Sequence, residues 1–325
     1  MRVLVWHVHG SWTTAFVQGR HTYLIPTTPE RDRWGVGRPA AWDWPVTAPE
    51  TSPSELADAE IDAVVLQRPE EIELVTRWTG RRPGQDLPAI YVEHNTPREH
   101  AATSRHPMAD RDDITVVHVT DFNELMWDCG AAPTTVVPHG IVDPGERYTG
   151  ELARAAVVIN EPVRRWRITG TDLLPRFSRV AGVDVFGMGL AGLGDRLNRT
   201  PAPPAEAAVR PIGDLPQYRL HDEMARRRLY LHPMRWTSLG LSLLEAMQLG
   251  MAVVALACTE ASVAVPADAG VVSTDLSVLE RAVAELVAEP DRASAMGRAG
   301  RKAALQRYGL PAFLQRWDDL LDQLR

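Results

Sequence analysis

Short apolar runs alternate with amphipathic stretches along the whole chain. In the first half, residues 3–8, 21–25, 61–67, 89–93, 114–119 and 134–138 read as strands. Their continuous Val, Ile, Leu and Ala content predicts strands covered on both faces. Between them, the turn His9-Gly10-Ser11 opens a short helix, and residues 69–78 form a helix with Pro69 in its first turn. Thr120-Asp121 caps another that ends near Gly130, with Asp121 and Glu124 at capping-box spacing. Residues 26–55 are rich in Pro, Trp and Thr, lack either period, and are predicted to be a long ordered loop pinned by Trp34, Trp42 and Trp44. Stacking of those indoles on a bound ligand is the less favoured role.

The alternation resumes in the second half. Strands are predicted over 155–159, 183–186, 229–232 and 251–257, and helices over 170–181, 219–228, 277–288 and 291–307. The helix at 219–228 would end in Arg226-Arg227-Arg228, cations favoured at a helix C-terminus. Residues 200–208, rich in Pro and Ala, read as a surface loop. Pro311 opens a last helix whose Phe313, Leu314, Trp317, Leu320, Leu321 and Leu324 share one apolar face.

Strands alternating with helices, twice over, predict an α/β chain with two doubly wound, Rossmann-like parallel sheets. A length of 325 residues fits two domains of that size. The expected division is 1–147 and 148–310, with the terminal helix, 311–325, packing back toward the first domain.

Charge and composition narrow the class. A net charge of −7 argues against a nucleic-acid binder, and the 45% hydrophobic content argues for a globular chain. Lys302 is the single lysine, so the basic chemistry falls to arginine. Cys129 and Cys258, far apart in sequence, are expected to be free thiols of a cytoplasmic protein. No apolar run approaches the ~20 residues of a membrane span. Asn198-Arg199-Thr200 has the pattern of a glycosylation acceptor, which has no meaning without secretion.

The most informative stretch runs from Trp236 to Ala257. Gly240 starts a short helix, Leu241, Leu244, Met247 and Leu249 give it an apolar face, and Gly250 stops it before a buried strand. A glycine-started helix offers free backbone N–H groups and a positive dipole end to a phosphate. Glu245, the one carboxylate of the helix, can accept two hydrogen bonds from a ribose diol about a turn further on. Arg164, Arg165 and Arg167 lie at a predicted strand-to-helix loop, where a phosphate contact is expected. No HExxH, Cys cluster or carboxylate cage argues for a metal.

This stretch resembles the donor-sugar motif of the retaining glycosyltransferases of family four. Gly240, Leu241, Leu244, Glu245, Ala246, Met247, Gly250, Val253 and Val254 match it, whereas Thr237 stands where the motif carries its first Glu. Val136-Val137-Pro138-His139-Gly140-Ile141 resembles the family's domain-closing signature. Thr169-Gly170-Thr171-Asp172-Leu173-Leu174 resembles its Lys-Gly-x-Asp-x-Leu segment, with Thr169 in the lysine's place.

The resemblance implies a GT-B fold and a metal-independent, retaining transfer of a sugar from a UDP-, GDP- or ADP-linked donor to an unidentified acceptor. The nucleotide sugar is then a substrate, and no cofactor is expected. It implies that Glu245 holds the ribose, that Gly240 and Leu241 offer N–H groups to the β-phosphate, and that Thr237 and Ser238 line the donor. Arg165 and Arg167 are the candidates for neutralising the leaving diphosphate. His94 matches a histidine near the donor sugar, Gly10 resembles a phosphate-side glycine, and His139 is read as structural. The rival readings are a nucleotide-sugar-binding scaffold for a partner transferase and a GT-B sugar epimerase.

Overall fold

The structure is a computed structural model that describes residues 1–39, 42–197 and 208–324. The Asn198-Arg199-Thr200 pattern and all but the last residue of the Pro- and Ala-rich stretch lie outside the described residues. The chain divides into two compact units, residues 1–142 with 308–325, and residues 143–307.

The first unit is built from β1 (Arg2–Val5), α1 (Gly10–Phe16), β2 (Thr22–Pro26), β3 (Glu50–Thr51) and α2 (Pro53–Asp58), followed by β4 (Ala63–Leu66) and α3 (Glu71–Thr79). β5 (Ala89–Glu93), β6 (Thr115–His118), α4 (Asp121–Met126) and β7 (Thr134–Val136) complete its N-terminal part. Its seven strands are parallel, in the order β3-β2-β1-β4-β5-β6-β7. Leu4, Val64, Leu66 and Val116 are fully buried between the helical layers, as runs without alternation require.

The second unit begins with β8 (Leu152–Val158), α5 (Pro162–Arg165), a 3-10 turn at Thr171–Leu173, α6 (Leu174–Phe177), β9 (Gly182–Phe186), α7 (Leu193–Leu197) and β10 (Val209–Gly213). It continues with α8 (Gln217–Ala225), β11 (Arg227–His232), α9 (Leu241–Leu249), β12 (Ala252–Leu256), α10 (Ala261–Ala264), β13 (Gly270–Ser273), α11 (Leu276–Ala288) and α12 (Pro290–Tyr308). Its six strands are parallel in the order β10-β9-β8-β11-β12-β13. The core is formed by residues such as Val157, Val183, Leu231, Val254 and Leu279. α13 (Leu310–Asp322) returns to the first unit. There Trp317 meets Trp12 and Phe16 with ring centroids 5.7 and 4.9 Å apart, and Asp318 binds Arg20 and His21 at 3.0 Å each.

Several expectations need correction. The stretch 26–55 is not wholly loop, because Ser52 caps α2 with a complete capping box to Glu55 and Pro53 in the first turn. The Ser-Pro-Ser-Glu spacing carried that signal. α4 is capped by Thr120, whose side chain accepts from the Asn123 N–H, and it stops at Met126 rather than near Gly130. The helix expected over 170–181 is reduced to a 3-10 turn and one turn of α-helix ending at Phe177.

Of the three arginines only Arg226 stands at the helix terminus, as the C-cap of α8. α8 ends at Ala225 and Arg227 opens β11, 5% exposed. Its guanidinium and that of Arg154 grip the buried carboxylate of Asp184, at 2.9 and 2.7 Å. A buried Asp needs such donors, and this pairing overrides the local helix preference. Among the described residues, no helix is long and apolar enough to cross a membrane, and both cysteines are free.

Candidate functional site

In both sheets the strand order reverses beside the first strand, between β1 and β4 and between β8 and β11. Ligands of such sheets bind beyond the carboxyl ends of the strands at this switch point. Each unit therefore offers one place to look for a site.

In the second unit, β11 feeds the loop from Pro233 to Gly240, which leads into α9. Gly240 is the N-cap of α9 and brings no capping side chain; the Leu243 amide donates to the Gly240 carbonyl at 2.9 Å, and those of Leu241 and Ser242 are left to a ligand or solvent. Gly250 ends α9 in the left-handed conformation, φ 90°, where a side chain would be strained. Leu244 and Met247 are fully buried, as expected, but Leu241 is only half-buried. Ser242 shares a 2.8 Å hydrogen bond with the Tyr230 hydroxyl.

Glu245 is 4% exposed and turned toward α8, with Oε2 3.5 Å from Nε2 of His221. Gln217, one turn earlier on α8, places its amide nitrogen 2.9 Å from that same Nε2. Sequence alone gave no pointer to His221, because its partner lies on another helix.

The loop before α9 is stitched to the segment after β8. The amides of Arg235 and Trp236 donate to the Ile168 carbonyl at 2.9 and 3.2 Å. Arg235 binds Asp172 through both nitrogens, at 2.6 and 2.9 Å, and Arg167 reaches the same carboxylate at 3.2 Å. Two guanidiniums thus share one carboxylate. Arg235 had no motif to mark it. Arg165 is half-buried at the end of α5, and Arg164 is exposed beside Glu161. Thr169 is fully buried and bonded to Thr171 at 2.9 Å, so no charge stands in its place. Thr237 donates to the sulfur of Met234, and Ser238 is 5% exposed.

The first unit gathers histidines at its own switch point. His9 follows β1, His94 follows β5 and His139 follows β7. The rings of His9 and His94 are 4.0 Å apart, those of His94 and His139 6.3 Å, and Trp12 meets His94 edge-on at 5.0 Å. Burial pulls His9 down to about 4, His139 to about 3, and His94 well below the usual imidazole value. All three are therefore neutral at pH 7. Gly10 opens α1, and a Cβ there would make only ordinary contact with Trp42, so packing does not demand glycine. Trp44 is buried and donates to Thr14, while Arg33 and Arg68 lie over the Trp34 ring, so both indoles anchor the loop. Among the described residues no group of His, Cys, Asp or Glu is arranged to hold a metal ion.

Comparison with known proteins agrees with this layout. Residues 203–303, from the approach to β10 into α12, match the family described as glycosyl transferases group 1. No curated protein matches the chain by sequence. Among solved structures, sucrose-phosphate synthase from Thermosynechococcus elongatus superposes with a TM-score of 0.72 at 13% identity, covering 100% of this chain and 99% of its own. HepE from Anabaena, solved in complex with UDP, gives 0.70 at 13% identity, covering 99% and 100%. A glycosyltransferase from Rickettsia africae gives 0.66 at 12% identity, covering 99% and 98%. The chain thus has the two-domain α/β architecture of the GT-B glycosyltransferases, and its residues 203–303 are similar to the glycosyl transferases group 1 family.

Proposed function

We propose that this protein is a glycosyltransferase that moves a sugar from a nucleotide donor to an acceptor hydroxyl, with retention at the anomeric centre and without a metal ion. The observation that carries the reading is the join of β11 to α9, which lies inside the segment matched to the family. It combines an uncapped helix N-terminus, two guanidiniums at Asp172, and an enclosed carboxylate one turn into the helix. These are the requirements of a nucleoside diphosphate: amides and cations for the phosphates, and an acceptor pair for the ribose diol.

In this reading Glu245 takes the ribose hydroxyls, and the amides of Gly240 and Leu241 face the β-phosphate, with Thr237 and Ser238 beside the donor sugar. Arg165 and Arg167, with Arg235 steering the latter through Asp172, neutralise the diphosphate as the glycosidic bond breaks. His94 contacts the donor sugar and Gly10 lines its phosphate side. The donor is a UDP-sugar, the nucleotide found in the Anabaena HepE complexes. The reaction belongs to the family-four type, and a cytoplasmic location is part of the same proposal.

The test is to incubate the protein with UDP-, GDP- and ADP-linked sugars and follow nucleotide release with and without candidate acceptors. Acceptor-dependent release supports transfer. Binding without release would favour a scaffold, and isomerised sugar an epimerase. Glu245→Gln should weaken nucleotide binding by about tenfold or more, the loss of charge-assisted hydrogen bonds. Unchanged affinity would remove Glu245 from the site.

A further inference from the structure

We infer that Gln67 fixes His94 in a single tautomer, so that His94 presents a neutral lone pair on Nδ1 to a sugar hydroxyl and no positive charge to a phosphate. This rests on the proposed placement of His94 at the donor sugar, but the tautomer follows from the hydrogen bonds of the first unit alone.

The argument starts at the end of β4. The Gln67 side-chain amide donates from Nε2 to the Trp6 carbonyl at 2.7 Å. A carbonyl can only accept, so the amide cannot turn over, and Oε1 must face the other way. It faces Nε2 of His94 at 3.1 Å. An amide oxygen also only accepts, hence Nε2 of His94 carries the hydrogen. A neutral imidazole has one N–H, so Nδ1 is left with a lone pair. Among the described residues no hydrogen-bond partner of that Nδ1 is found, and the ring keeps 9% exposure.

The frame around the pair is tied down at several points. The Gln67 backbone N–H donates to Glu71 Oε2 at 2.6 Å, and Arg68 holds the other oxygen of that carboxylate at 2.6 Å. On the histidine side, Glu93 accepts from the Asn95 N–H at 2.6 Å and meets His106 at 3.2 Å, which fixes the turn containing His94. Gln67 is 5% exposed and Glu93 likewise 5%.

The titratable groups facing His94 all discourage a second proton. His9 packs against it at a tilt from the turn after β1, and His139 stacks on it from the turn after β7, each a rival for charge in the same enclosed space. Arg68 and Arg98 act on His9 in the same sense. The role of phosphate counter-charge therefore falls elsewhere, and His94 serves as a hydroxyl acceptor. Gln67 is a positioning residue that acts through it.

The experiment is nitrogen-detected NMR on the full chain with selectively labelled histidine, His94 being assigned by the signal lost in His94→Gln. The expected wild-type pattern is a protonated Nε2 and an unprotonated Nδ1, constant from pH 8 to 5. In Gln67→Met, which removes the fixed acceptor at similar volume, the single-tautomer signature should give way to averaging between both nitrogens. In Gln67→Glu, the new carboxylate should allow His94 to take a second proton within the same pH range. A wild-type His94 protonated on Nδ1, or a charged one at pH 7, overturns the inference; so does an unaltered tautomer in Gln67→Met. None of these readouts depends on turnover. If the tautomer is as stated but His94→Gln leaves UDP-glucose turnover unchanged, the placement of His94 at the sugar fails while the tautomer stands.

Discussion

The imidazole of His232 occupies the space that a side chain on Gly240 would need: a Cβ there would lie 2.7 Å from its Cε1. His232 is 2% exposed, and its Nδ1 is buried without a hydrogen-bond partner. The last residue of β11 and the N-cap of α9 are thus packed as one unit. Gly240→Ala should cost about 1–3 kcal/mol by overpacking and weaken nucleotide binding by shifting the α9 amides. His232→Ala in the same chain should recover much of the loss, since it frees the space. Additive losses in that double-mutant cycle, measured by urea unfolding, would show that the two residues do not interfere.

Asp184 sits between Arg154 and Arg227 beneath the sheet of the second unit, with Arg227 also held by Glu223. Removing one partner of a buried ion group costs about 3–5 kcal/mol because charge is left uncompensated. Arg227→Met leaves Asp184 one arginine and should fall at the lower end. Asp184→Leu removes the carboxylate that both arginines share, leaving Arg227 to Glu223 and Arg154 to the Ala208 carbonyl, and should destabilise more. The order of the two melting temperatures checks this, and the reverse order would mean that Arg227 matters for shape rather than charge.

Buried neutral histidines are concentrated in the first unit. His9 and His118 are lowered to about 4, His139 to about 3 and His94 well below its ordinary value, against His232 alone at about 4 in the second. A histidine lowered in the folded state binds fewer protons than its unfolded counterpart between the two values. Its contribution to stability is therefore complete above the ordinary value of 6.5 and declines as pH falls from there toward 4. Each such group contributes a slope of up to about 1.4 kcal/mol per pH unit. The first unit should open first on acidification from pH 7 to 5. Limited proteolysis at pH 5 should cut within residues 1–142 before residues 143–307, and equal or inverted susceptibility would contradict this.

If arginines and amides meet the diphosphate, chelation should not stop the reaction. Turnover with a UDP-sugar is expected to persist in excess EDTA, and its loss, restored by manganese, would contradict the proposed chemistry. Arg167→Ala and Arg165→Ala should each be compared with wild type for kcat and for UDP affinity. Charge grows on the phosphate as the bond breaks, so a true contact lowers kcat by more than it lowers affinity.

How much of this was legible in the sequence depended on the range of the interaction. Parallel strands announce themselves as unbroken apolar runs, and α9 declared both ends through Gly240 and Gly250. The capping box of α2 was equally local and was overlooked because it sits in a Pro- and Trp-rich stretch. Other features had no local trace. Arg227 reads as one of three consecutive arginines until Asp184, 43 positions away, is beside it. Likewise Gln67 closes a strand in an ordinary way, and only the folded chain brings it to His94, 27 positions on. Glu245 was legible as a carboxylate in an apolar helix, but its facing partner, His221, was not.

The return of α13 to the first unit has a consequence for how the protein comes into being. Ile141 donates to the Tyr308 carbonyl at 3.0 Å, so the chain leaves the first sheet and re-enters it at one spot. Everything from 143 to 307 is, topologically, an insertion between two neighbouring residues of a single fold. On the ribosome, the helix α1 carrying Trp12 and Phe16 emerges long before Phe313 and Trp317, which cover them. The nascent first unit must keep that aromatic surface uncovered while the whole second unit is synthesised. The second unit, continuous in sequence, can complete its fold during translation; the first can do so only after release of its last helix.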